Sequence, residues 1–212
     1  MVFKQLTAWG HEITELLLPK RCVGCGGFGE TLCETCRKEW LSPPSLVTPS
    51  VGDLPVWACG PYSGVRRATI IASKERDRRD VWPYLGAVIG AAVDFLITAG
   101  EIPAAVTLIP APTQPSRARQ RGGDPVSMAC HHSGWPTVDA VHHGRRVADS
   151  AGLDAAARRH NVAGGVVVTA VPTGPLLLVD DIVTTGSTLA ATSDVLRAHG
   201  GTVIGCLTYA VA

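Results

Sequence analysis

Residues 176 to 188 read LLLVDDIVTTGST, and this stretch limits the possible folds more tightly than any other. The apolar run Leu176 to Val179 suits a strand buried on both faces, the kind found in parallel sheets. It meets two adjacent acids, Asp180 and Asp181, and then a small hydroxyl-rich loop, Thr184-Thr185-Gly186-Ser187-Thr188. Ser187 to His199 alternates as an amphipathic helix with Leu189, Val195 and Leu196 inward, and Gly200-Gly201 ends it as helices commonly end. This order predicts that the acids stand at the C-terminal end of a parallel strand, where open α/β sheets gather their ligands.

The rest of the chain repeats the alternation. Ala104 to Ile109, stopped by Pro110, reads as a buried parallel strand, as do Gly165 to Val171 and Thr202 to Ala210. Thr137 to Val141 reads as a short strand, and residues 61 to 99 as helices interrupted by the charged run Lys74 to Asp80. Strands separated by helices predict an α/β fold, a parallel sheet covered on both faces. With 46% apolar and 17% charged residues in 212, one domain of ordinary size plus a small appendage can form a full core. The formal charge of +1 excludes a global attraction to DNA or membrane. The start of the chain has no uninterrupted apolar stretch of the secretory kind. Its residues Phe3, Leu6, Trp9, Ile13, Leu16 and Leu17 recur at helical spacing instead. Tyr84 to Gly100 carries Asp94 and two glycines within its apolar window and reads as a core helix, not a membrane span. The expected location is the cytoplasm, with no membrane partner.

Cys22-x2-Cys25 and Cys33-x2-Cys36 form two knuckles, with Gly24, Gly26, Gly27 and Gly29 supplying tight turns. Two such pairs can complete a tetrahedron of thiolates around one Zn²⁺. A redox site would instead place one such pair beside a thioredoxin-like strand and helix, a pattern missing here. Cys59, Cys130 and Cys206 stand singly and read as ordinary buried or loop cysteines. The expected organisation is an N-terminal helix and zinc ribbon over residues 1–45, a proline-rich linker over 46–57, and a larger domain over 58–212.

The loop after the acid pair has its own chemistry. Backbone N–H groups of residues 184 to 188 face outward at the positive end of the following helix, a ready phosphate site, and Thr184, Thr185, Ser187 and Thr188 add hydroxyl donors. Gly186 allows close backbone approach. Two carboxylates beside a phosphate must face something other than that phosphate. Sugar hydroxyls and a divalent cation suit them, so the stretch fits a ribose 5-phosphate. Simple helix capping would need only one such residue. The pairs His131-His132 and His142-His143 diverge in either a strand or a helix, and read as incidental rather than as metal ligands.

LLLVDDIVTTGST resembles the phosphoribosyl-pyrophosphate (PRPP) motif of type I phosphoribosyltransferases. A zinc ribbon followed by such a domain resembles the ComF family, which includes ComFC and GntX-like proteins. The resemblance extends to Pro61-Tyr62-Ser63-Gly64-Val65-Arg66-Arg67 and to Ile109-Pro110-Ala111-Pro112 followed by Arg117, Arg119, Arg121 and Gly122. It departs where Gly123-Asp124 replace the family's Phe-Asn, and Lys74-Glu75-Arg76-Asp77 stand where the family has a K-F-x-G-D segment. The resemblance implies a Rossmann-like type I phosphoribosyltransferase domain in which Asp180 and Asp181 face the ribose hydroxyls and Thr184 to Thr188 hold the 5-phosphate. Mg²⁺ would accompany PRPP. Guanidinium forks at Arg117, Arg119 and Arg121 suit pyrophosphate, and Lys74 is a further candidate for it. The polar, basic stretch 142–161 is expected to form a mobile hood. The expected reaction transfers phosphoribosyl to a nitrogen nucleophile, an unidentified base or amine, with release of pyrophosphate. In purine-salvage relatives an acid stands where this chain has Thr184, so hypoxanthine and guanine are not implied. The alternative is a non-catalytic PRPP- or nucleotide-sensing accessory of DNA uptake, with the ribbon as its protein or DNA contact. Nothing in the sequence sets the oligomeric state.

Overall fold

A computed structural model of the chain describes residues 20–112, 123–143 and 166–212. From Lys20 two turns carry the cysteine knuckles into a short helix, α1 (Glu34–Lys38). β1 (Ser45–Val47) and β2 (Val56–Ala58) follow, then α2 (Gly64–Glu75), a 3-10 turn at Arg79–Val81 and α3 (Trp82–Thr98). β3 (Thr107–Pro110), α4 (Pro125–His131), β4 (Val141–His143) and β5 (Val166–Val168) lead to β6 (Pro175–Val183), α5 (Ser187–Ala198) and β7 (Thr202–Val211).

The fold is mixed α/β with a mostly parallel central sheet in the order β1-β2-β7-β6-β3. Only β1 runs antiparallel to its neighbour. β6 and β7 lie at its centre, and Leu176, Leu177, Leu178 and Val179 are all buried, as expected of a strand flanked on both sides and covered on both faces. On one face Ile70 of α2, the Leu85, Ile89, Val93 and Leu96 stripe of α3, and Val126 and Ala129 of α4 pack against Leu177, Val179 and Leu207. On the other, Leu189, Val195 and Leu196 of α5 pack with the β4–β5 pair against Leu176 and Leu178. α5 ends as its sequence predicts. Gly200 takes φ +86°, its N–H donates to Arg197 O, and the Gly201 N–H reaches back to Leu196 O, a Schellman closure.

The structure corrects several expectations in detail. β6 does not stop at the acids but runs through them to Val183, because β7 continues to pair with it. Residues 137–141 are not a strand; Thr137 makes one isolated bridge to Leu108, and regular pairing begins at Val141. β5 joins β4 in a separate antiparallel pair instead of extending the central sheet. β3 begins at Thr107, and Pro110 is its last residue, tolerated because β3 is the end strand of the sheet. The proline-rich stretch expected as a linker contributes the sheet-edge pair β1–β2. Its neighbour, the cysteine segment, shares the main core, with Cys22, Leu32, Cys36 and Trp40 packed in one cluster with Ile70 and Leu85. The expected helix over residues 3–17 lies outside the described residues, as do most of the 142–161 stretch and Arg117, Arg119 and Arg121.

Among the described residues one helical stretch, Arg79–Thr98, is long and apolar enough to cross a membrane, and half of it is buried within the fold. Its glycines explain part of that burial. A Cβ on Gly86 would lie 2.5 Å from His132 Cβ and 2.7 Å from Ala129 O; one on Gly90 would lie 2.5 Å from Ser133 O. Standing one turn apart on α3, the two glycines let the end of α4 sit against the helix backbone. Gly86→Ala must therefore push backbone, not a flexible side-chain tip, and should cost about 1–3 kcal/mol in chemical denaturation despite the better helix propensity of alanine. An unchanged or raised midpoint would contradict this packing.

Candidate functional site

Strand pleating gives the two adjacent acids different surroundings. Asp181 lies 13% exposed and forms an ion pair with Lys74 near the end of α2. Asp180 accepts the Asp181 N–H on Oδ1 at 2.8 Å. Burial, reinforced by the negative charge of Asp181, pushes the Asp180 carboxyl up to about 8, against the pull of that N–H and of Lys74. Without ligand the pair is thus close to neutral at physiological pH: one acid protonated, the other matched by a lysine.

Beyond Val183 the chain turns into α5. Gly186 takes φ +84°, and a Cβ there would lie 2.6 Å from Val51 O and 2.8 Å from Pro49 Cβ. The backbone that approaches this glycine in the structure is the chain's own 49–51 segment. That segment braces the loop, with Val51 N and Ser50 Oγ donating to Thr185 O at 2.9 and 3.4 Å. Thr184, Thr185, Ser187 and Thr188 are exposed. Thr185 Oγ1 and Ser187 Oγ are 2.9 Å apart, and Ser187 N donates to Thr185 Oγ1 at 3.4 Å. The N-cap Gly186 has no side chain to satisfy the first turn of α5, so exposed donors face outward at the positive helix end.

The site therefore brings together Lys74, Asp180, Asp181 and the 184–188 loop. Arg117, Arg119 and Arg121 lie outside the described residues. Two groups that sequence reasoning missed share a small cavity with Lys74 and Asp181: Ser73 and Tyr209. They are 2% and 3% exposed, and neither hydroxyl has a hydrogen-bond partner among the described residues. Ser73 was legible only as the neighbour of Lys74, and Tyr209 only as a polar residue in an otherwise apolar last strand. Asp124 caps α4 by accepting from Val126 N at 2.9 Å and Ser127 N at 3.4 Å. His131 bonds Asp139 Oδ2 at 2.9 Å, beside Ser127 on Oδ1.

The four knuckle cysteines converge. The Sγ atoms of Cys22, Cys25, Cys33 and Cys36 all lie within 4.8 Å of one another, and Cys25 and Cys33 are 3.7 Å apart. Thiolates tetrahedrally bound to zinc stand about 3.8 Å apart, given Zn–S bonds of about 2.3 Å, so the cluster fits a metal such as zinc. Burial pushes Cys22 up, but the N–H groups of Cys33, Cys25 and Gly24 and the Cys36 thiol bring it down to about 6. Burial and the neighbouring thiols push Cys36 well up. Gly24 has no room for a side chain, since a Cβ there would meet Cys36 Sγ at 2.7 Å. The three single cysteines are buried, and burial pushes all of them up, Cys59 and Cys206 to about 12. They are packing residues.

No family model and no curated protein matches the chain. Among solved structures it is similar to an orotate phosphoribosyltransferase of Mycobacterium tuberculosis H37Rv in complex with Fe(III) dicitrate. The match has 21% sequence identity over 82% of this chain and 79% of that one, with a TM-score of 0.35.

Two measurements test the site as built. Purified protein should carry one zinc per chain, and Cys33→Ser should lose it and loosen residues 20–45 in hydrogen exchange while β6 and β7 stay protected. Wild-type protein without metal and with four reactive thiols would contradict the cluster. The second concerns Asp180. Its carboxyl titrates near 4 when unfolded and near 8 when folded, so folding stability is fully present at low pH and falls as pH rises through that window. Asp180→Asn removes the fall and can still accept the Asp181 N–H. It should raise stability at pH 8 by about 1 kcal/mol or more, and much less at pH 5. Equal effects at both pH values would mean that Asp180 is ionised in the fold.

Proposed function

We propose that this chain binds PRPP with Mg²⁺ and transfers its phosphoribosyl group to a nitrogen nucleophile, releasing pyrophosphate. The observation that carries the reading is the juxtaposition of a half-buried, near-neutral acid pair with the exposed donors at the N-terminus of α5, all on one strand-loop-helix unit. The helix end suits the 5-phosphate, and the acids suit the two ribose hydroxyls, which can both donate and accept. An acid pair already matched by Lys74 and a proton is poor at capturing a bare divalent cation but well suited to uncharged sugar hydroxyls. Mg²⁺ would supply charge neutralisation on the departing pyrophosphate, the part of the reaction also assigned to Arg117, Arg119 and Arg121. Lys74, paired with Asp181, reaches pyrophosphate only by leaving that acid.

In this reading residues 58–212 are the phosphoribosyltransferase-like unit of a cytoplasmic protein. Residues 1–45 form a zinc ribbon that contacts protein or DNA. The acceptor is a base or amine held beside C1 of the ribose.

The test is pyrophosphate release from PRPP and Mg²⁺ across a panel of bases and amines, alongside direct binding. Saturable PRPP binding without turnover on any acceptor would move the chain to a sensing role. The double variant Asp180→Asn, Asp181→Asn alters contacts worth about 1.5–3 kcal/mol at the ionised Asp181 and about 0.5–1.5 kcal/mol at the protonated Asp180, so PRPP affinity should fall roughly a hundredfold. Ribose 5-phosphate should weaken with it, and inorganic phosphate should bind as well as before. A folded double variant that binds PRPP normally would overturn the reading.

A further inference from the structure

Among the buried polar side chains that no described residue satisfies, two open onto the same cavity, Ser73 and Tyr209. Strand register brings Tyr209 there. Asp180 lies opposite Thr208 and Ile182 opposite Ala210, so Asp181 and Tyr209 are neighbours on one face of the sheet. Ser73 reaches the same cavity from α2, next to the Lys74 that pairs with Asp181. Neither hydroxyl is explained by packing alone. A phenylalanine would fill the place of Tyr209 in β7 without burying a donor. A helical serine or threonine can return its O–H to the carbonyl four residues back. Thr69, on the same helix, does so to Val65 O at 2.8 Å; Ser73 does not. A buried hydroxyl left unpaired carries the full cost of its desolvation, so two at one cavity point to an occupant.

The cavity itself selects that occupant. Its volume is about 10 Å³, the room that one water molecule needs and too little for a larger group. Ser73, Tyr209, Asp181 and Lys74 supply its polar lining, and a buried water takes about three such partners. The rest of the wall is apolar, with Ile70 and Leu85 against the water's remaining side. A cation has no claim here, because the Lys74 ammonium already matches Asp181. We propose that the cavity is a built site for one water molecule, which accepts the O–H groups of Tyr209 and Ser73 and donates to the Asp181 carboxylate. Burial pushes the Tyr209 phenol above its ordinary range, so it stays a donor at neutral pH. The water ties Asp181 to β7 and α2 at once. Tyr209 and Ser73 are thus positioning residues: they act through the water on the direction of Asp181 and of the ammonium paired with it. The site belongs to the free protein and holds whatever the acids bind.

Two measurements on the whole, zinc-loaded chain test it. A crystal structure that resolves ordered water should show one molecule within hydrogen-bond distance of Tyr209 Oη, Ser73 Oγ and an Asp181 oxygen. In solution, the proton–nitrogen NMR signal of the Lys74 ammonium, assigned by its loss in Lys74→Arg, reports how firmly the pair is held. Tyr209→Phe and Ser73→Ala should each speed exchange of the ammonium protons at least about threefold, the effect of losing one ordinary hydrogen bond. Ser73→Ala reads the same link without touching the strand. Ile70→Val, which changes only the apolar wall, should leave the exchange as it is. A dry cavity in the wild type, or hydroxyls bonded directly to protein groups, would overturn the site. A water in place with exchange unchanged in both hydroxyl variants would overturn the positioning role. Equal speeding in Ile70→Val would also overturn it and leave Tyr209 and Ser73 as packing residues.

Discussion

The parallel pairing of β6 with β7 is the constraint from which the rest of the site follows. It holds Leu176 to Val179 in full burial and satisfies their backbone groups on both sides, with β3 completing the other edge. The pairing does not end with the apolar run. Asp180 lies opposite Thr208 and Ile182 opposite Ala210, so the acid pair sits inside a paired strand. Acids on a free loop would turn into water and ionise. Held in a strand, the Asp180 carboxyl is pushed well above the usual carboxylate range by burial and by Asp181, and Asp181 is matched by Lys74.

In the proposed reading, that electrostatic state separates two tasks along one stretch of chain. Phosphate recognition needs donors and a positive end, which the exposed 184–188 loop and the start of α5 provide. Hydroxyl recognition needs acceptors that do not repel the neighbouring phosphate, and a protonated acid beside a lysine-paired one meets that need. The loop's position is fixed from behind by Pro49 to Val51, which leave space at Gly186 for no side chain. The edge segment of the sheet thereby sets the position of the candidate phosphate loop.

Much of this was legible in the sequence. The buried strand, the acids, the hydroxyl loop and the glycine-terminated helix form a local pattern, and local patterns read directly from periodicity and turn chemistry. The same holds for the paired knuckles, whose spacing alone brings four thiols together. Where the reading failed, the deciding contacts were distant in sequence. The extension of β6 past the acids depends on β7, the strand role of residues 45–47 depends on β2, and the pairing of β4 with β5 spans more than twenty residues. Lys74 meets Asp181 across more than a hundred positions, a contact that a mixed-charge run could not announce. Tyr209 and Ser73 were invisible for the same reason.

Those distant contacts also change what the ribbon is. Trp40, just after α1, stands edge-on to Tyr209 at 6.1 Å and 88°. The buried Arg66 donates to Glu39 O at 2.5 Å and lies over the Trp40 ring, and a Cβ on Gly60 would touch its guanidinium. Tyr209 in turn shares its cavity with Asp181 and Lys74. A continuous line of packed side chains therefore runs from Cys36 through Trp40 and Tyr209 to the acid pair, all within one core. Close-packed interiors transmit displacement because they have little free volume to absorb it. Trp40, which follows the knuckles directly, is the ring against which Tyr209 is set. The cysteine segment is thus packed in the same core as Tyr209, the residue that lines the cavity beside Asp181, although no cysteine lines that cavity.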